Sequence, residues 1–192
     1  ATGVSLDEHL HPTFTLETPW GSTAIGLSIA GRHQVINALG AAAAALTLGV
    51  TLDGVAEGLG GARLSAMRMD LTETTAGFRV LNDAFNANPT SMAAALRAIG
   101  ELPAARRFAV VGIMGKLGDD ADAMHRDIAV VAEEQGVRLI SVTAPAYGIE
   151  GDDAVEDVAG ALARLHALGL SDGDVVLVKA SRSAGLERVA QN

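Results

Sequence analysis

Four short apolar runs, each leading into a helical stretch, constrain this chain most. They are FRVLN (78–82), RFAVVG (107–112), RLISVT (138–143) and DVVLVK (174–179). Helical patterns are expected near 89–101, 119–135, 152–168 and 183–190. Strands without polar alternation are buried on both faces, and strand–helix alternation is βαβ logic, so an α/β unit with a parallel sheet covered by helices on both sides is predicted. In such sheets ligands sit beyond the carboxyl ends of the strands. Here those ends hold Asp83 with Asn86 and Asn88, then Gly112 to Lys116, then Thr143, then Lys179 to Ser183.

The first third reads differently. Residues 13–30 alternate apolar and polar around PWGS, a hairpin pattern with a central turn. Gly31 ends it, and an Ala-rich helix runs to Gly49. TLDGVAEGL follows as a short helix capped by Thr51. GGARLSAMRM, with its paired glycines, reads as the linker, so the expected domains are 1–66 and 67–192. No internal repeat is visible.

Composition narrows the function classes. A net charge of −9 argues against non-specific nucleic-acid binding, which depends on Lys and Arg at phosphates. With no cysteine there is neither a disulfide framework nor a thiolate metal site. No apolar run is long enough for a bilayer, and the first residues lack the pattern of a signal peptide, so a cytoplasmic protein is expected. The chain does not begin with Met and is expected to be processed or cut from something longer.

The strand ends carry the chemistry. LNDAFNANPTSM (81–92) places a carboxylate just past a strand and a helix N-terminus soon after. Asn88 and Pro89 suit a helix N-cap and first turn, which accounts for part of the polarity. Asp83 suits either an Asx-turn or hydrogen bonds from ribose hydroxyls, beside a helix end that favours phosphate. VKASRSAG (178–185) brings Lys179 and Arg182 to the same rim, with Ser181 and Ser183 as possible caps. Two cations near a helix N-terminus suggest an anionic partner, and ion pairing with nearby acids is the equal alternative. GRHQVINA puts His33 and Asn37 on one helical face, and a helical Asn calls for a partner. Arg68 stands at the domain junction, where bridging the halves is its default role. His125 and Arg126 of AMHRD are expected on a solvated helix face. GIMGKLGDD is Gly-rich but is not a P-loop, and no metal-ligand spacing or nucleophile elbow is present.

Taken together, GRHQVINALGAAAAA, MRMD, LNDAFNANPTSM, VVGIMGKLG…HRD and VLVKASRS stand in the order found in the Mur ligases, which this chain resembles from about residue 12 to 190. NANP and VLVKxSRS point to the branch that adds D-alanyl-D-alanine to a UDP-N-acetylmuramoyl-tripeptide. The resemblance implies a three-domain, ATP- and Mg²⁺-dependent enzyme. Its first domain binds the UDP-sugar, its central one ATP, and its third, Rossmann-like, closes over the site. This chain would be the end of the central domain plus the whole third domain, and inactive alone. It is expected to be a monomer with no nucleic-acid or membrane partner.

Carried over by motif, Asn37 would contact the adenine, Arg68 the ATP phosphates and Asp83 the ribose. Asn86, Asn88, Lys179, Ser181 and Arg182 would line the face that holds dipeptide or phosphates. No catalytic residue and no metal ligand is assigned within the chain. Gln34 stands where the family usually has Asn, Ile113 and Lys116 replace acidic residues, and Ala180 replaces Gly. Two other readings stay open: a stand-alone nucleotide- or partner-binding module, and a ligase fragment of the folylpolyglutamate synthetase kind.

Overall fold

The computed structural model describes residues 1–191, which form two compact units, one from Ala1 to Ser65 and a second that begins at Ala66. In the first, β1 (Thr2–Leu6), β2 (Pro12–Thr18) and β3 (Gly21–Gly26) make an antiparallel meander. The β2–β3 turn falls in PWGS as expected. Thr18 pairs with Gly21 across it, and the Thr18 hydroxyl donates to the Gly21 carbonyl at 2.9 Å. Gly21 takes φ +124°, open to glycine and strained for other residues. The hairpin is shorter than the 13–30 stretch, and β1 was not anticipated, because TGVSL offers too few apolar residues to mark a strand.

Two helices cover the meander, α1 (Gln34–Thr47) and α2 (Leu52–Gly60). Thr51 caps α2 as expected, its hydroxyl accepting from Gly54 N–H at 3.1 Å. Phe14, Leu16 and Ile25 point inward from the strands and, with Leu27 just past β3, meet Val35, Ala38, Ala42, Leu46 and Val55 from the helices.

The second unit contains β4 (Asp70–Glu73), β5 (Arg79–Asn82), α3 (Pro89–Glu101), β6 (Arg107–Val111), α4 (Ala121–Glu134), β7 (Arg138–Val142), β8 (Ala154–Val155), α5 (Val158–Ala167), β9 (Val175–Lys179) and α6 (Glu187–Ala190). The sheet order is β4-β5-β9-β6-β7-β8. From β5 to β8 every pairing is parallel, whereas β4 runs antiparallel to β5 at the edge. The expected parallel sheet is thus present, with one antiparallel strand added at its edge. The edge strand escaped notice because DLTE is polar and mostly exposed.

β9 comes last in sequence but lies between β5 and β6, pairing with both. One sheet face, through Val80, Phe108, Val110, Ile140, Val176 and Val178, packs on Ala161 and Leu165 of α5 and on Leu186 and Val189. By the two-residue period, Leu81, Ala109 and Leu177 turn to the opposite face, where α3 and α4 lie.

Three predicted helices change at their starts. A 3₁₀ turn (Gly118–Asp120) precedes α4. The 152–168 stretch opens with a 3₁₀ turn and β8, and α5 begins only after Asp157, whose carboxylate accepts from Gly160 N–H at 2.8 Å. Arg182–Ala184 is a 3₁₀ turn ended by left-handed Gly185, leaving α6 a single turn. The Ser181 side chain makes no cap hydrogen bond there.

Candidate functional site

The carboxyl ends of β5 and β9 meet in one buried ion pair. Lys179 Nζ donates to Asp83 Oδ2 at 2.5 Å and to the Asn86 carbonyl at 2.8 Å, with a longer contact to the Asp83 carbonyl at 3.4 Å. The lysine is 2% exposed and the aspartate side chain 13%. A buried ammonium needs its donors satisfied, and this one gathers three acceptors from the turn after β5. Of the two readings left open for Lys179, ion pairing is the one seen.

The second carboxylate oxygen of Asp83 accepts from Met69 N–H at 3.1 Å. An Asx-turn is present at this strand end, but Asn82 makes it, with its side-chain oxygen accepting from Ala84 N–H at 3.3 Å. Asp83 is thus committed to joining three chain segments.

Those segments are 67–69, 83–88 and 179–182. Met67 and Met69 both adopt left-handed backbone, at φ 64° and 49°. That conformation is uncommon outside Gly and is held here by the surroundings. The Met67 carbonyl accepts from Phe85 N–H at 3.1 Å, and Arg68 stacks its guanidinium 3.8 Å from the centre of the Phe85 ring. Arg182 Nη1 reaches Met67 Sδ at 2.8 Å and lies 3.9 Å from Glu187 Oε1. Arg68, Phe85 and Arg182 are exposed, so two guanidinium groups and a ring face solvent at one rim.

Asn88 caps α3. Its Oδ1 accepts from Ser91 N–H at 2.9 Å, and Ser91 Oγ accepts from Asn88 N–H at 3.1 Å, a reciprocal capping box. Asn86 contributes its carbonyl to Lys179 and leaves its side chain exposed. Ser181 follows β9, its N–H donating to the Ile113 carbonyl at 3.0 Å.

The structure therefore brings Arg68, Asp83, Asn86, Asn88, Lys179, Ser181 and Arg182 to neighbouring segments of one unit. Asn37 lies in the other unit, on α1. Its partner is Gln34, whose Oε1 accepts from Asn37 Nδ2 at 2.8 Å, while Gln34 Nε2 lies 3.2 Å from His33 Nε2.

His125 is not on a solvated face. It is 2% exposed, and its ring packs edge-on to Tyr147 with centroids 4.8 Å apart. The signal was present in the sequence: Ile128 and Ala132 stand three and seven residues on, which is the buried stripe of α4. Phe85, missed as well, had no periodicity to mark it.

Among the described residues, no group of three or more His, Cys, Asp or Glu could hold a metal ion. No helix there is long and apolar enough to cross a membrane.

Residues 67–182 match the family model described as Mur ligase, glutamate ligase domain. The chain is 41% identical over 97% of its length to the UDP-N-acetylmuramoyl-tripeptide–D-alanyl-D-alanine ligase of Mycobacterium tuberculosis, of which it covers 42%. It is 34% identical over 100% of its length to the enzyme of the same name from Escherichia coli, covering 43% of that protein. A crystal structure of MurF from Acinetobacter baumannii superposes on it with a TM-score of 0.89 at 31% identity, covering 100% of this chain and 43% of the other. The chain thus spans less than half the length of the curated relatives it matches.

Proposed function

The chain belongs to the Mur ligase family, and from that premise we propose that it is the C-terminal part of an ATP-dependent ligase that joins D-alanyl-D-alanine to a UDP-N-acetylmuramoyl-tripeptide in the cytoplasm. In this reading residues 1–66 are the end of the central ATP-binding domain and 67–192 the C-terminal domain, in a protein that works as a monomer. The observation that carries it is the 41% identity over nearly the whole chain to a ligase of that name. The shared rim built by Asp83 and Lys179 supports it by gathering the motif residues of the second unit.

In the reaction, a tripeptide carboxylate oxygen attacks the γ-phosphorus of ATP and the bond to ADP breaks. The dipeptide amine then attacks the acyl carbon, and phosphate leaves. This chain's residues bind and orient. Asn37 takes the adenine, Arg68 the phosphates and Asp83 the ribose, through lone pairs left by Met69 and Lys179. Arg68 and Arg182 present delocalised cations suited to phosphate or carboxylate oxygens. Asn86, Asn88 and Ser181 line the same edge. Lys179 contributes by holding Asp83 and the Asn86 carbonyl, because its ammonium is buried and engaged. The Mg²⁺ implied by the resemblance finds no ligand cluster among the described residues, so no step assigned to this chain runs through a metal.

The test is phosphate release by the full-length ligase with ATP, the UDP-linked tripeptide and D-alanyl-D-alanine. Release is expected only with all three present, and none from the 192-residue chain alone. Turnover by the isolated chain, or full-length turnover indifferent to the dipeptide, would overturn the reading.

A further inference from the structure

The loop after β6, Gly112–Gly115, is held from three sides. Gly112 N–H donates to the Lys179 carbonyl at 3.2 Å, and the Ile113 carbonyl accepts from Ser181 N–H at 3.0 Å, both tying it to the end of β9. The Gly112 carbonyl accepts from Tyr147 Oη at 3.0 Å, from the turn after β7. Met114 N–H donates to His125 Nε2 at 2.9 Å, from α4. The approach is close: a Cβ on Gly112 would lie 2.9 Å from Ala180 Cβ, and one on Gly115 would lie 3.2 Å from Ser181 Oγ.

The hydrogen bonds fix the state of the histidine. A backbone N–H only donates, so Nε2 is the acceptor, and the ring proton on Nδ1 donates to the Ala121 carbonyl at 2.6 Å. Both ring nitrogens are used by a neutral imidazole. Burial pushes the Tyr147 hydroxyl above the usual phenol range, so it stays a donor. Neither side chain belongs to the rim described above. Both are largely buried, and each spends a hydrogen bond on this one loop.

We propose that His125 and Tyr147 are positioning residues that fix the Gly112–Gly115 loop and, through its bond to Ser181, set the placement of Ser181 and Arg182 toward substrate. The proposal rests on the ligase reading of that rim. A leucine and a phenylalanine would fill the same space and leave the Gly112 carbonyl and Met114 N–H without partners. The polar pair specifies where the loop lies as well as filling volume.

The test has two arms. In the 192-residue chain, ¹⁵N NMR is expected to show His125 as the neutral Nδ1–H tautomer, and the Nε2–H tautomer would overturn the proposal. In the same chain, Tyr147→Phe and His125→Leu are expected to speed amide exchange at Met114 and Ser181 about tenfold or more, with Leu177 unchanged.

In the full-length ligase, both variants are expected to raise KM for D-alanyl-D-alanine about tenfold while KM for ATP stays within about twofold. His125→Gln, whose Oε1 can still accept from Met114 N–H, is expected to restore most of the loss. Tyr147→Phe keeps the ring and is read alone if His125→Leu fails to fold. If Ser181→Ala raises the dipeptide KM and Tyr147→Phe does not, the proposal is overturned and the site reading stands. If Ser181→Ala and Arg182→Ala are both without effect, the site reading falls and takes the proposal with it. Equal losses for both substrates would mean a purely structural role and would also overturn it.

Discussion

Lys179 carries a charge at a place where water cannot serve it. Among the described residues its ammonium donates to the Asp83 carboxylate and carbonyl and to the Asn86 carbonyl. Lys179→Met removes one partner and leaves the Asp83 carboxylate unpaired. It is expected to destabilise the chain by about 3 kcal/mol, read from urea unfolding. A change under about 0.5 kcal/mol would show the pair to be energetically idle. The sequence offered ion pairing and an anionic ligand as equal readings for Lys179. It could not choose, because Asp83 and Lys179 are 96 residues apart and only the insertion of β9 beside β5 joins them. Asn88 was legible, since an N-cap followed by Pro is a local signal. His125 was misread although its stripe was visible, because a histidine on an apolar face carries no mark of the carbonyl and N–H it will meet.

Caps and strand ends decide more than propensity among the elements. Asn88→Ala opens the capping box of α3 and is expected to cost about 1 kcal/mol in thermal or urea unfolding. A loss of ligation in the full-length enzyme larger than that stability change explains would assign Asn88 a second role. At the opposite end of β9, Asp174 is 1% exposed and accepts from Arg106 Nε at 3.0 Å and from Ser171 N–H at 2.9 Å. Its bonds to Arg106, working against burial, hold its carboxyl below the usual carboxylate range. A depressed folded value means the contribution is complete above the unfolded value of about 3.9 and is lost as pH falls through the folded one. The melting temperature of the wild type should therefore fall more steeply than that of Asp174→Asn as the pH is lowered below about 4. Equal slopes would sink this assignment. The parallel strands were legible as unbroken apolar runs. β4 and β8 were not, since one is polar and the other has two residues, and both exist because a neighbouring strand offers an edge.

For the whole molecule, the chain clusters into two compact units that divide after Ser65, a few residues past the paired glycines, Gly60 and Gly61. Each unit has its own apolar core. Limited trypsin digestion is expected to cut first at exposed Arg63, near the end of the first unit, and to leave a resistant fragment beginning at Leu64. First cleavage at Arg107 or Arg138, inside the sheet, would contradict the division. The mixed strand order has a consequence in time as well as in space. A ribosome releases β5 and β6 long before β9, yet those two strands have no direct pairing until β9 arrives between them. Until then the nascent second unit exposes two unpaired apolar strand edges, which a holding chaperone would recognise. Asp83 likewise waits for its lysine, so the rim is completed only once β9 has been translated.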